Sequence, residues 1–193
     1  MSIYICGACN CGKAEIARKL GLDFPDLRVV IDPSEMVFKP IFGVGLDRVF
    51  RGRKWEGKTD EAHKGIIDYL DLLEQEDIVT NEGALAFLTH VAFFGVLSSF
   101  NDEQRKVILL RCYAQLRKGH HFVVRRWADN GNFCQTSVQL QRDIGVGRKN
   151  IYIIPPASDY DSTVEQGYEF IKRRMEAVNN GTIDNGELRS EKA

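Results

Sequence analysis

With 193 residues, 44% hydrophobic, 27% charged and only 5 prolines, the chain has the size and composition of one globular domain with a buried core, which excludes collagen-like, low-complexity and wholly disordered classes. Lys and Arg (26) balance Asp and Glu (27) to a formal charge of -1, so no general electrostatic grip on nucleic acid or anionic membrane is expected. The 5 cysteines are odd in number, and the chain opens into Ser2-Ile3-Tyr4-Ile5-Cys6 without a basic start or a cleavage site, which predicts reduced thiols and a cytoplasmic protein.

Short apolar runs alternate with helical patterns along the chain. Ile3 to Cys6 reads as a strand, Lys13 to about Leu20 as a helix, and Leu27 to Ile31, bounded by Pro25 and Pro33, as a second strand. Met36 to Lys58 holds glycines at 43, 45, 52 and 57 and the basic cluster Arg48, Arg51, Arg53 and Lys54; it reads as an irregular, mobile surface excursion. Asp60 to Glu76 spaces Ile66, Ile67, Leu70 and Leu73 as a helix, and Asp77 to Thr80 follows as a third strand.

The stretch from Gly83 to Asn101 has no formal charge and is nearly long enough to span a membrane, but His90, Thr89 and two serines dilute it; a helix buried within the protein is the better reading. The next helix starts at Asn101, an N-cap with Asp102 and Glu103 in its first turn, and stops at Gly119. His121 to Trp127 reads as a fourth strand, followed by turn formers and a polar helix-like stretch reaching Arg142. Asn150 to Ile154 is a fifth strand, and a last helix from Ser162 to about Val178 opens with the capping-box spacing Ser162-Thr163-Val164-Glu165. Residues 1–178 form one domain on this reading, and Asn179 to Ala193 a disordered polar tail. Five strands separated by helices predict an α/β fold, a doubly wound parallel sheet covered on both faces.

Directly after the first strand stands Gly7-Ala8-Cys9-Asn10-Cys11-Gly12-Lys13, with the G-x-x-x-x-G-K spacing of a phosphate-binding loop. Glycines let backbone amides turn inward around an anion, the helix N-terminus adds partial positive charge, and the lysine reaches the outer phosphates. The plainer alternative is an ordinary strand-to-helix turn.

Through this motif and the order of its elements, the chain resembles the P-loop NTPases, in particular the small nucleoside and nucleotide kinases and the NadR-type, AAA-like kinase domains. The resemblance implies a five-stranded parallel sheet and transfer of the γ-phosphoryl of Mg-bound ATP to a nucleoside, nucleotide or related small acceptor. It places Gly7 to Gly12, with Ala14, around the phosphates and Lys13 on the transferring group. The family pattern wants Ser or Thr after the lysine to hold Mg, and Ala14 has no hydroxyl to offer. Glu15 stands one residue on, as a first-turn acid or a water-mediated metal contact. At the end of the third strand, where such kinases carry an acidic group, Asn81-Glu82-Gly83 makes Glu82 the candidate for Mg.

Positive charge to close over the phosphates is expected from Arg142 and Arg148, with Lys149, in the family's lid position, and from Arg125 and Arg126. Asp32 and Glu35, after the second strand, are the carboxylates placed to accept an acceptor's proton, or else turn and capping residues. Arg48, Arg51 and Arg53 would suit an acceptor phosphate.

Cys6, Cys9 and Cys11 lack the fourth ligand of a zinc site, although thiols beside a helix N-terminus have reason to ionise, so oxidation at Cys9 or Cys11 would block the loop. His120 and His121 are explained by a helix end and an exposed strand edge, and His63 and His90 have no partner at useful spacing. Two other classes stay open: a nucleotide-binding regulatory or interaction protein that has lost turnover, favoured by Ala14 and Asn81, and a deoxyribosyltransferase-like enzyme. Oligomeric state is not readable from the sequence.

Overall fold

A computed structural model describes residues 1–7, 10–125, 139–141, 143–144 and 148–181. Its elements in chain order are β1 (Ile3–Gly7), α1 (Lys13–Asp23), β2 (Arg28–Val30), α2 (Pro33–Phe42), α3 (Leu46–Arg51), α4 (Thr59–Leu73), β3 (Ile78–Thr80), α5 (Ala84–Phe94), a short 3₁₀ turn (Val96–Ser99), α6 (Asp102–Arg117), β4 (His120–Val124), β5 (Ile151–Ile154) and α7 (Tyr160–Asn179). The five strands are all parallel in the order β2-β3-β1-β4-β5. β1 is therefore central, with the chain first building the sheet to one side of it and then to the other.

Side chains alternate across β1 with the period of a strand. Ile3 and Ile5 pack on α1 (Ile16, Ala17, Leu20) and α7 (Val164, Ile171, Met175), whereas Tyr4 and Cys6 pack on the other face against α2 to α6. The result is a three-layer sandwich whose inner strands β1, β3 and β4 are buried on both sides, while the edge strands β2 and β5 keep exposed residues. The uncharged stretch forms α5, with Leu85, Phe87, Leu88 and Val91 buried, and breaks at Gly95 (φ 65°). No helix among the described residues is long and apolar enough to cross a membrane.

Met36 to Lys58 departs from the sequence reading. Pro33 occupies the first turn of α2, where a missing N–H costs nothing, and Gly43 ends that helix in the left-handed conformation (φ 72°) with its N–H on the Lys39 carbonyl at 2.8 Å. Phe38, Val49, Phe50 and Trp55 then lie in the core, Phe38 and Phe50 edge to face with ring centroids 6.0 Å apart. The segment is a packed helical layer rather than a surface excursion.

At Asn101 the expected cap is present as a full capping box, its side chain accepting from the Gln104 amide. α7 starts earlier than Ser162: Asp159 is the N-cap and accepts from the Ser162 amide at 2.8 Å. His120 and His121 are buried, 8% and 0% exposed, not edge residues. The polar stretch ending at Arg142 falls largely outside the described residues, as does the tail beyond Gly181.

Candidate functional site

The carboxyl edge of a parallel sheet, where helices leave neighbouring strands on opposite faces, is where such folds open a crevice. Here β1 sends α1 to one face and β3 sends α5 to the other, and the Gly7–Lys13 turn stands at that point. Both glycines of the motif are sterically forced. Gly7 has φ 122°, and a Cβ there would stand 2.1 Å from the Val124 carbonyl oxygen of β4. Gly12 has φ 79°, and a Cβ would meet Val164 Cγ2 of α7 at 2.2 Å. Asn10 also has a positive φ, 54°. The left-handed Gly12 followed by helical Lys13 is the backbone pairing that turns successive amides to one side as an anion nest. Ala8 and Cys9 lie outside the described residues.

Lys13 is half-buried at the first position of α1. Its ammonium acts electrostatically on Glu82, Cys6 and His90, holding each of their pKa values down. Ala14 follows half-buried, and Glu15 is exposed, accepting from Tyr160 Oη of α7 at 3.2 Å. Glu15 thus ties the first turn of α1 to α7.

Across the crevice, the ends of β2 and β3 are laced together. Asp32, the left-handed residue before α2 (φ 49°), donates its amide to Asn81 Oδ1 at 2.7 Å, and Asn81 Nδ2 returns a bond to Asp32 Oδ1 at 2.5 Å. Glu82 accepts twice from Ser34, Oε2 from the backbone amide at 2.9 Å and Oε1 from the hydroxyl at 2.7 Å. Burial raises the Glu82 carboxyl above the ordinary carboxylate range, and the Asp32 charge adds to this, while the Ser34 bonds and Lys13 oppose it. Both oxygens of Glu82 are thus already engaged, and no group of three or more metal-ligating side chains occurs among the described residues. Ala14 adds no side-chain oxygen beside them.

The structure brings Lys13, Asp32 and Glu82 to one edge, and with them Arg125, half-buried one residue past Val124, the partner of Gly7. Glu35 is exposed on α2, 3.9 Å from Lys39, with its carboxylate beside Gly45 ahead of α3. Arg148 lies at the opposite, amino edge of the sheet, its Nε donating to the Ile144 carbonyl at 3.2 Å and its guanidinium 6.0 Å from the Tyr113 ring centre. Arg142 and Arg126 lie outside the described residues. Arg51 and Arg53 pair locally with Asp47 and Glu56, and Arg48 is exposed. Cys6 is fully buried, its thiol pushed up to about 12 by desolvation, and Cys11 is buried with Sγ 3.8 Å from the Val124 carbonyl, so neither is open to an oxidant; Cys9 is outside the described residues.

The sequence reading passes over Ser34 and leaves His90 without a partner. Ser34 holds Glu82, and His90 has a partner after all: its Nε2 is 4.0 Å from Asp47 Oδ1 of α3. Neither pairing follows any helical or strand spacing.

The chain's backbone is similar to that of shikimate kinase from Aquifex aeolicus, with a TM-score of 0.50 and 15% identity over 94% of this chain and 99% of that one. It is also similar to thymidylate kinase from Candida albicans, with a TM-score of 0.52 and 14% identity over 90% of this chain and 92% of that one. No protein-family model matches the sequence, and no curated protein matches it by sequence. The five-stranded all-parallel sheet, with its flanking helices, is a P-loop kinase-like α/β fold.

Proposed function

We propose that the chain is a phosphotransferase that moves the γ-phosphoryl of ATP to a small hydroxyl-bearing acceptor, a nucleoside or nucleotide. The observation that carries this reading is the Gly7–Lys13 turn. Its two glycines admit no side chain, and its lysine stands at a helix N-terminus in electrostatic reach of Glu82. Phosphoryl transfer leaves the protein little covalent work, so positioning and charge stabilisation suffice.

In this reading the loop amides and the start of α1 bind the outer phosphates, and Lys13 offsets the charge that grows on the transferring group. Asp32 and Glu82, fixed by Asn81 and Ser34, hold α2 against β3 and form the acceptor wall. Arg125 is the cation at the neighbouring strand end. Magnesium carried on the triphosphate would neutralise phosphate charge.

ATP should raise the thermal midpoint of the wild-type chain, by an amount corresponding to about 2.7 kcal/mol at a hundredfold excess over the dissociation constant. Lys13→Ala should abolish that rise without lowering the midpoint of the unliganded protein. An ATP shift that survives in Lys13→Ala overturns the reading.

A second reading, a nucleotide-binding protein without turnover, is favoured by Ala14 and by the engagement of both Glu82 oxygens with Ser34. ATP binding without label transfer to any of a panel of nucleosides and nucleoside monophosphates would select it.

A further inference from the structure

We infer that His90 is the proton acceptor for the acceptor hydroxyl, with Asp47 and Arg51 of α3 setting its basicity. This inference rests on the phosphotransferase reading and names the side of the crevice where the acceptor reacts.

His90 is linked to the phosphate loop by a short chain of contacts. The Cys6 thiol, next to Gly7, bonds the Ala86 backbone in the first turn of α5, and His90 Nδ1 lies 2.8 Å from the Ala86 carbonyl oxygen. A carbonyl can only accept, so in the neutral ring Nδ1 carries the proton and Nε2 the lone pair. Nε2 faces the Asp47 side, 4.0 Å from Oδ1, and Arg51 Nη2 donates to that same oxygen at 3.3 Å. The His90 side chain is 17% exposed and that of Asp47 43%, so the pair is not closed off from solvent.

The carboxylates expected from the sequence fill this role less well. Asp32 is tied to Asn81, and Glu35 is paired with Lys39 one turn along α2.

In the step, the acceptor O–H bond breaks and its proton passes to Nε2. The freed electron pair forms the new bond to the γ-phosphorus, and the bond from that phosphorus to the bridging oxygen breaks, releasing ADP. No further reactant is needed. Burial holds His90 below its ordinary pKa, so the ring is in its base form at neutral pH; Lys13 and Arg51 push the same way, and Asp47 and the Ala86 bond oppose them. Asp47 and Arg51 from α3 and Lys13 from α1 are charged groups that act on it.

The test measures transfer of labelled phosphate from ATP to a panel of ribonucleosides, deoxyribonucleosides and their monophosphates, with the ATP thermal shift recorded in parallel. His90→Asn, whose amide can keep the bond to Ala86, should lose about 10²-fold or more in rate while retaining the ATP shift. The acid limb of kcat/KM should move to lower pH in Asp47→Asn, to higher pH in Arg51→Gln, and vanish in His90→Asn. If His90→Asn does not fold, the opposite displacements in the two α3 variants carry the test. Undiminished transfer in His90→Asn, or an acid limb indifferent to both α3 changes, overturns the assignment. Wild-type protein that binds ATP but transfers to no acceptor overturns the His90 role and leaves the phosphate loop standing; wild-type protein with no ATP shift overturns both.

Discussion

Glu82 at the end of β3 holds the first turn of α2 by both donors of one residue, accepting from the Ser34 amide at 2.9 Å and from its hydroxyl at 2.7 Å. Because burial raises the Glu82 pKa above the ordinary carboxylate range, the folded state holds that proton more tightly than the unfolded chain. Its stabilising contribution is therefore complete below the unfolded value and is lost as pH rises through the folded one.

Ser34→Ala removes a hydrogen bond to a charged group and should cost about 1.5–3 kcal/mol at neutral pH. It also removes an interaction that holds the Glu82 pKa down, so the loss of stability from pH 4 to pH 7 should steepen; Glu82→Gln should flatten it. Urea unfolding across that range measures both. A Ser34→Ala penalty that does not grow with pH would refute the role of the pair.

Gly12 and Val164 make the second prediction. Gly12→Ala adds a Cβ 2.2 Å from Val164 Cγ2 at a residue with φ 79°, and should cost about 1–3 kcal/mol. Val164→Ala in the same chain should recover the steric share and leave the backbone share, so the double-mutant cycle shows favourable coupling. Gly7→Ala meets the Val124 carbonyl, a backbone atom, and no side-chain truncation should rescue it. Purely additive costs at Gly12 and Val164 would remove the explanation for that glycine.

What could be read in advance was local. The Ile3–Cys6 run, the Gly7–Lys13 spacing and the Asn101 cap are decided by residues within a few positions of one another, and each stands where expected. Pro33 and Gly43 were a readable start and stop for α2, but with Pro40 and the later glycines they resembled a loop, although Phe38, Val49 and Phe50 supply the core. Asp159 caps the last helix with its side chain accepting from the Ser162 amide, so the capping-box spacing at Ser162 fell inside the first turn. The His90–Asp47 and Ser34–Glu82 pairings join residues that only the sheet order brings together, and no sequence period encodes them.

The packed helical layer gives the third prediction. Phe50 is 1% exposed, between Phe38 and Phe87, and Trp55 is 5% exposed in the same cluster. Phe50→Ala should cost about 3–5 kcal/mol, as aromatic truncation in a core does, whereas exposed Lys54→Ala should stay within about 0.5 kcal/mol. Amide exchange should show α3 protected well beyond a surface loop. Equal effects of the two substitutions in chemical denaturation would return the segment to the surface.

The fourth prediction uses two buried histidines at the amino edge of the sheet. His121 stacks on Tyr4, ring centroids 4.8 Å apart, and its Nε2 lies 3.1 Å from the Lys118 carbonyl; His120 Nδ1 is 3.3 Å from Tyr152 Oη. Burial lowers both to about 4 from the ordinary imidazole value of 6.5. Their contribution to stability is complete above the unfolded value and is lost as pH falls through the folded one, so acid should unfold the chain progressively between about pH 6.5 and pH 4. His121→Phe should lower stability at pH 7 by about 1 kcal/mol, the worth of the bond to Lys118, and lose less on acidification. Glu82 titrates with the opposite sign in this window, so the quantity to follow is the difference between wild type and variant at each pH. That difference should shrink and then reverse as the medium becomes acid. A difference independent of pH would mean that His121 charges as readily in the folded protein as in the unfolded chain.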